Sequence, residues 1–321
     1  MNNDLESIAK ALVAPGKGIL AADESLPTIE KRFTAINLPN TPENRKAYRE
    51  LLFGTPGIEN YISGVIQFDE TLRNGILKNP NVISGIKVDE GTEDYNGNVD
   101  EKITKGIDTL PERLKTYKDL GAKFTKWRAV FKITPLPTPS IQNVQDNAIL
   151  LAKFAKLSQE SGMVPIVEPE VLSEGAHDIE KCYETTRAIL KVVFIKLKGE
   201  GVDLRGMLLK PNMILPGSGS GQIVTPADIA HKTIEVLEAT VPDEVPGIVF
   251  LSGGQSSDDA TKNLNEMNKT PQKWQLSFSF GRALQTPVLK EWNGKSENIE
   301  SARKIFLTLC ENNSKARNGQ Y

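Results

Sequence analysis

An α/β fold, a single-domain (β/α)8 TIM barrel over residues 1–321, is what this sequence predicts. Three observations predict it. Short apolar, β-branched runs recur eight times along the chain. Stretches with helical spacing lie between them. No Pro/Gly/Ser-rich linker interrupts the middle. A doubly wound open sheet is the competing architecture, and it usually needs fewer strands.

The strands are expected at GILAAD (18–23), GVIQFD (64–69), SGIKVD (84–89), FTKWRAVFKI (124–133), MVPIVEPE (163–170), LRGMLLKPN (204–212), GIVFLSGG (247–254) and LSFSFGR (276–282). Near-continuous apolar runs suit parallel strands buried on both faces. Among the helices, 41–53 opens on Thr41 as a cap with Pro42 at the first helical position. Residues 142–161 and 178–198 carry apolar residues at helical spacing, 225–240 has another Thr-Pro start, and 296–312 closes the chain. The segment PGSGSGQ (216–222) lacks the Gly-Lys-Ser/Thr ending of a nucleotide loop and reads as a mobile loop after the sixth strand.

Composition narrows the function. With 39% hydrophobic and 25% charged residues, the chain is neither disordered nor fibrous. Its net charge of −2 argues against a dedicated nucleic-acid binder, which needs a positive surplus on one face. No apolar run approaches the roughly 18 residues that span a bilayer, so no membrane association is expected. The start MNNDLESIAK lacks the features of a secretory or transit segment. Cys182 and Cys310 show no metal-type spacing, which points to a reduced, cytoplasmic chain. The two histidines, His177 and His231, sit in no metal-binding pattern and read as structural or surface residues; no metal is expected.

Strand ends at the C-terminal face of a barrel converge on one mouth. The polar residues there are Asp23, Asp69, Lys87, Asp89, Lys126, Arg128, Lys132, Glu168, Glu170, Lys210, Ser252, Ser279 and Arg282. Charges emerging from apolar strands must be paired or shift their pKa. Lys210 follows Met207-Leu208-Leu209. Desolvation, together with repulsion from Lys126, would favour a neutral amine able to attack a ketone; pairing with Glu168 or Glu170 is the alternative. Glu168 and Glu170, at i and i+2, share a strand face and suit a general acid/base beside an ionised partner, or else a structural ion-pair network. Asp23 is a site candidate or a capping residue. Gly253-Gly254 and Ser279-Phe280-Gly281-Arg282 fit an anion site after strands seven and eight, or simply tight turns.

Together, GILAADES, KWRAVFKI, VPIVEPE, LLKPNM, FLSGGQS and FSFGRAL resemble the class I fructose-bisphosphate aldolases, in order and approximate spacing, across nearly the whole chain. The resemblance implies metal-independent, reversible cleavage of fructose 1,6-bisphosphate to dihydroxyacetone phosphate and glyceraldehyde 3-phosphate, with no cofactor, in a homotetramer. Lys210 matches the Schiff-base lysine. Glu168 matches the acid/base for carbinolamine dehydration, and Glu170 the partner that holds the lysine. Lys126 matches the lysine beside the reacting centre. Asp23 resembles the residue assisting cleavage between C3 and C4. Lys87 and Arg128 resemble further positive groups of the substrate site, and Ser25 and Arg32 the polar positions after the first strand. Ser252, Gly253, Ser279, Gly281 and Arg282 match the C1-phosphate site. Two departures stand out. LPT follows Asp23-Glu24-Ser25 where many members have a Gly-containing segment. Tyr321 matches a tyrosine that precedes the mobile tail of animal members, so it is not expected to inherit the role of the tail's terminal tyrosine.

Overall fold

The computed structural model describes the backbone of residues 2–321, and side chains from Asp4 onward. Eight parallel strands close into a barrel: β1 (Gly18–Ala22), β2 (Ile62–Gln67), β3 (Ile83–Lys87), β6 (Phe124–Phe131), β7 (Val164–Val171), β8 (Leu208–Leu209), β9 (Gly247–Phe250) and β10 (Gln275–Phe280). Their order around the ring is β1-β10-β9-β8-β7-β6-β3-β2. Each of the eight expected strands is present, shifted by one to three residues at most ends. An antiparallel hairpin, β4 (Thr92–Tyr95) and β5 (Asn98–Thr104), sits between β3 and β6. Its polar strands carry no apolar run, which is why the sequence did not announce it.

Two boundaries moved for identifiable reasons. The 204–212 strand shrinks to Leu208–Leu209 because Asp203 accepts from Arg205 N and turns residues 204–206 into a 3-10 helix. Pro211, lacking an N–H, limits the other end. Pairing still reaches Lys210, whose N–H donates to Val167 O at 2.8 Å. The 64–69 strand ends at Gln67 because Asp69 opens a short helix, α4 (Asp69–Arg73), where it pairs with Arg73 and accepts from Tyr117 Oη.

Helix α1 (Asn2–Leu12) packs against the inside of the barrel. Its Leu5, Ala9 and Leu12 share one apolar cluster with Ile19, Ala21, Ile66, Phe124, Val164, Ile166, Leu208 and Val249. The outward strand residues join the larger cluster under the surrounding helices. Gly85 and Gly64 leave room for the Phe124 ring; a Cβ at Gly85 would lie 2.2 Å from it. Helices α2 (Leu26–Thr34), α3 (Pro42–Phe53), α5 (Leu110–Asp119), α6 (Ile141–Glu160), α7 (Ile179–Gly199), α8 (Pro226–Glu238), α9 (Ser257–Met267), α10 (Arg282–Trp292) and α11 (Ile299–Arg317) complete the outer layer. Thr41 and Thr225 cap α3 and α8, the second with a full capping box through Asp228.

The glycine-serine stretch 216–222 is docked. Gly217, Ser218 and Gly219 donate backbone N–H groups to the carbonyls of His177, Ser173 and Gly175. Both cysteines are free and buried. His177 is buried and His231 exposed.

Candidate active site

Period-two alternation sorts the barrel interior into levels. On β6 the inward residues run Phe124, Lys126, Arg128. On β7 they run Val164, Ile166, Glu168, Glu170, with Phe124 level with Val164 and Arg128 level with Glu168. On β8 Leu208 is followed by Lys210. The interior therefore changes from hydrocarbon at the α1 end to charge at the C-terminal end of the strands.

At that level the side chains pair across strands. Glu168 lies between two lysines: Oε1 is 3.2 Å from Lys210 Nζ and Oε2 is 3.3 Å from Lys126 Nζ. All three side chains are about 95% buried. Glu168 Oε2 makes no hydrogen bond among the described residues. Lys126 also reaches Asp23 Oδ2 at 2.7 Å and Asp89 Oδ2 at 3.8 Å. Lys87 pairs with Asp89 Oδ1 at 2.6 Å, and Arg128 Nε donates to Glu170 Oε2 at 2.5 Å. Four cations (Lys87, Lys126, Arg128, Lys210) thus meet four carboxylates (Asp23, Asp89, Glu168, Glu170), as burial of charge requires. Burial raises the Asp23 pKa, but Lys126 and Lys210 outweigh it and hold the carboxyl far below the usual range. Burial likewise opposes the charge on Lys126, and Asp23, Glu168 and Asp89 more than restore it.

Two expectations change here. Lys126 does not act on Lys210 as a bare neighbouring charge, because Glu168 stands between them. The residue that holds Lys210 is Glu168 and not Glu170. Lys210 follows Leu209, which is level with Val167. This puts Lys210 beside Glu168, whereas Glu170 lies one strand repeat higher, within reach of Arg128. Each carboxylate of the i, i+2 pair has its own cation. Asp69 and Lys132 lie outside the cluster, paired with Arg73 and Asp100.

Across the ring, β9 and β10 face β3 and β6, four strands away on either path. Ser252 follows β9 and its Oγ accepts from Ala283 N at 3.4 Å, inside the first turn of α10. Gly281 caps that helix and Arg282, exposed, begins it. A Cβ at Gly253 would sit 3.0 Å from Glu170 Oε1 and 3.5 Å from Arg282 Nη2, so this backbone approaches the charged wall as only glycine can. Ser279 Oγ is buried without a partner among the described residues. A helix N-terminus, a free hydroxyl and a guanidinium make an anion cradle.

Ser25 is the N-cap of α2 and Arg32 lies in its last turn. Ser25 Oγ lies 3.0 Å from Thr28 Oγ1, a second hydroxyl that sequence reasoning passed over although its i+3 spacing at a helix start signals it. Arg32 Nη2 approaches Gly281 and its other nitrogen pairs with the buried Glu24. Glu24 also accepts from Arg49 and, at 2.9 Å, from Gln285. No sequence signal linked these residues, which come together only through barrel closure. Burial would raise the Glu24 carboxyl; Arg32 and Arg49 pull it below the ordinary range. A depressed folded-state pKa contributes stability above the ordinary carboxylate range, lost as pH falls through the folded value. Glu24→Gln is therefore expected to lower unfolding stability at pH 7 by about 3 kcal/mol, with the gap to wild type closing below about pH 4. Parallel denaturant titrations check this; a pH-independent gap would contradict it.

The described residues hold no cluster of three or more His, Cys, Asp or Glu placed for a metal ion, and no helix among them is long and apolar enough to cross a membrane. The chain matches the family "Fructose-bisphosphate aldolase class-I" over residues 4–321. It is 50% identical to cytosolic fructose-bisphosphate aldolase 6 of Arabidopsis thaliana, covering 99% of this chain and 92% of that one. It is 48% identical to the fructose-bisphosphate aldolase of Echinococcus multilocularis, covering 99% and 91%. Its fold superposes on the aldolase of Plasmodium falciparum, solved in complex with TRAP and a small-molecule inhibitor, with a TM-score of 0.97 at 46% identity, covering 99% of this chain and 95% of that one. Barrel, charged mouth and full-length similarity agree: the chain belongs to the class I fructose-bisphosphate aldolases, the metal-independent lyases that work through a lysine Schiff base.

Proposed function

We propose that Lys210 is the Schiff-base lysine and that fructose 1,6-bisphosphate lies across the barrel mouth. The observation that carries this reading is Glu168, buried between two lysines with one carboxylate oxygen 3.2 Å from the Lys210 amine and the other 3.3 Å from Lys126. Glu168 takes the proton that Lys210 must lose to attack the C2 ketone. It then returns a proton to the departing carbinolamine hydroxyl, leaving the iminium. Asp23, held ionised by Lys126, accepts the proton of the C4 hydroxyl. The C3–C4 bond breaks, and its electron pair moves into the iminium to give an enamine. Glyceraldehyde 3-phosphate departs. Protonation at C3 and hydrolysis release dihydroxyacetone phosphate. Lys126 stabilises negative charge at the reacting centre, and Glu170 fixes Arg128.

Two anion ends on opposite walls support a bisphosphate. Ser252, Gly253, Ser279, Gly281 and Arg282 take the C1 phosphate, with Arg32 beside them. Lys87 and Arg128 lie across the ring, and Ser25 and Thr28 offer hydroxyls at the α2 N-terminus. The reading extends to one domain over residues 1–321, no metal or other cofactor, a homotetramer, and the cytoplasm, the last in keeping with relatives named cytosolic or cytoplasmic. One experiment addresses it. Borohydride reduction with dihydroxyacetone phosphate, in buffer containing EDTA, is expected to add the substrate's mass to the Lys210 peptide, and sedimentation of the product to give a tetramer. An unmodified Lys210 peptide overturns the assignment.

A further inference from the structure

Asp89 belongs to none of the roles above, yet its carboxylate has four polar partners among the described residues, against two for Glu168. Its side chain is about 96% buried. Oδ1 pairs with Lys87 Nζ at 2.6 Å and accepts from Gly91 N at 3.2 Å. Oδ2 accepts from Arg128 N at 3.3 Å and lies 3.8 Å from Lys126 Nζ. Lys87 Nζ also donates to the Asp89 carbonyl at 2.5 Å. The two cations depend on Asp89 to different degrees. Lys126 keeps Asp23 and Glu168 whatever happens at position 89. Among the described residues, both polar contacts of Lys87 are to this single residue.

We infer that Asp89 is a positioning residue that sets the distance between the reacting centre and the far phosphate, by clamping Lys87 to the backbone of β6 at Arg128. This rests on the proposed placement of the substrate. The carboxylate bridges β3 and β6 just past the point where Lys87 is level with Lys126. An ammonium on a four-carbon stem has many rotamers, and fixing it beforehand removes the entropy cost of ordering it around a phosphate. Asp89 therefore matters for substrates with a phosphate at that end and little for those without one.

Asp89→Asn keeps one oxygen for the Gly91 or Arg128 N–H and removes the charge that holds Lys87. The kcat/KM ratio of fructose 1,6-bisphosphate to fructose 1-phosphate is expected to fall about tenfold, the scale of one charge-assisted hydrogen bond, mostly through KM for the bisphosphate. Borohydride trapping of dihydroxyacetone phosphate, which has no far phosphate, is expected to stay within about twofold of wild type and serves as the folding control. In a Lys87→Met background, Asp89→Asn is expected to leave the ratio unmoved, because its effect passes through Lys87. If Asp89→Asn loses the trap, Asp89→Glu carries the same ratio test, with the carboxylate displaced by one methylene. An unchanged ratio beside a discriminating wild type overturns the role of Asp89 alone, as does an equal fall in the Lys87→Met background. A wild type that cleaves both esters equally overturns the two-anion placement, and this inference with it.

Discussion

Lys210→Met is expected to reduce cleavage of fructose 1,6-bisphosphate by about 10⁵-fold or more, the scale seen when a covalent nucleophile is removed. Methionine fills nearly the same volume, so the fold should survive. The loss would come from chemistry and not from packing. Without the amine no iminium forms, and the electron pair of the breaking C3–C4 bond has no sink. The same variant should take up no label on borohydride reduction, while Lys126→Met should still be labelled though slowed. Steady-state kinetics and peptide mass mapping read both. Cleavage by Lys210→Met at even one-hundredth of the wild-type rate would remove the covalent mechanism from this site.

Glu168→Gln is the second large effect. The amide cannot take the Lys210 proton or return one to the leaving hydroxyl, so iminium formation should slow by about 10³-fold, in line with loss of a general acid/base. It also leaves two buried lysines facing a neutral group. Three carboxylates then remain against four cations, a cost of about 3 kcal/mol in stability if nothing reorganises. Pre-steady-state trapping separates the two consequences. A slow approach to full labelling at Lys210 reports the lost proton transfer, and incomplete labelling in folded protein would point to a displaced lysine. Normal labelling rates would assign the proton relay to another group, with Glu170 next in reach of the mouth.

How far the site was legible depends on how local its determinants are. Lys210, Glu168 and Lys126 could be picked out because each is a charge in an otherwise apolar strand. Alternation within a strand then decides which side it faces. Asp89 was visible as a strand-end residue, but nothing local said that it would clamp Lys87. The Glu24–Arg32–Arg49–Gln285 cluster gave no signal, since its members sit on β1's loop, α2, α3 and α10. The hairpin of residues 92–104 was missed because its polar strands carry no apolar run.

The sequence alone determined the eight-fold alternation of strand and helix, the shared face of Glu168 and Glu170, and the charges standing at strand ends. These follow from hydrophobic period and from the scarcity of charge in apolar runs, which are properties of neighbouring residues. Tertiary structure decided the partners: Glu168 to Lys210 instead of Glu170, Asp89 to Lys87, and the placement of Ser252, Gly253 and Arg282 across the ring from β3 and β6. Ion pairing inside a closed barrel depends on the register between strands and on which strands closure brings together. Those distances are set by the packing of the whole chain and written in no single segment of it.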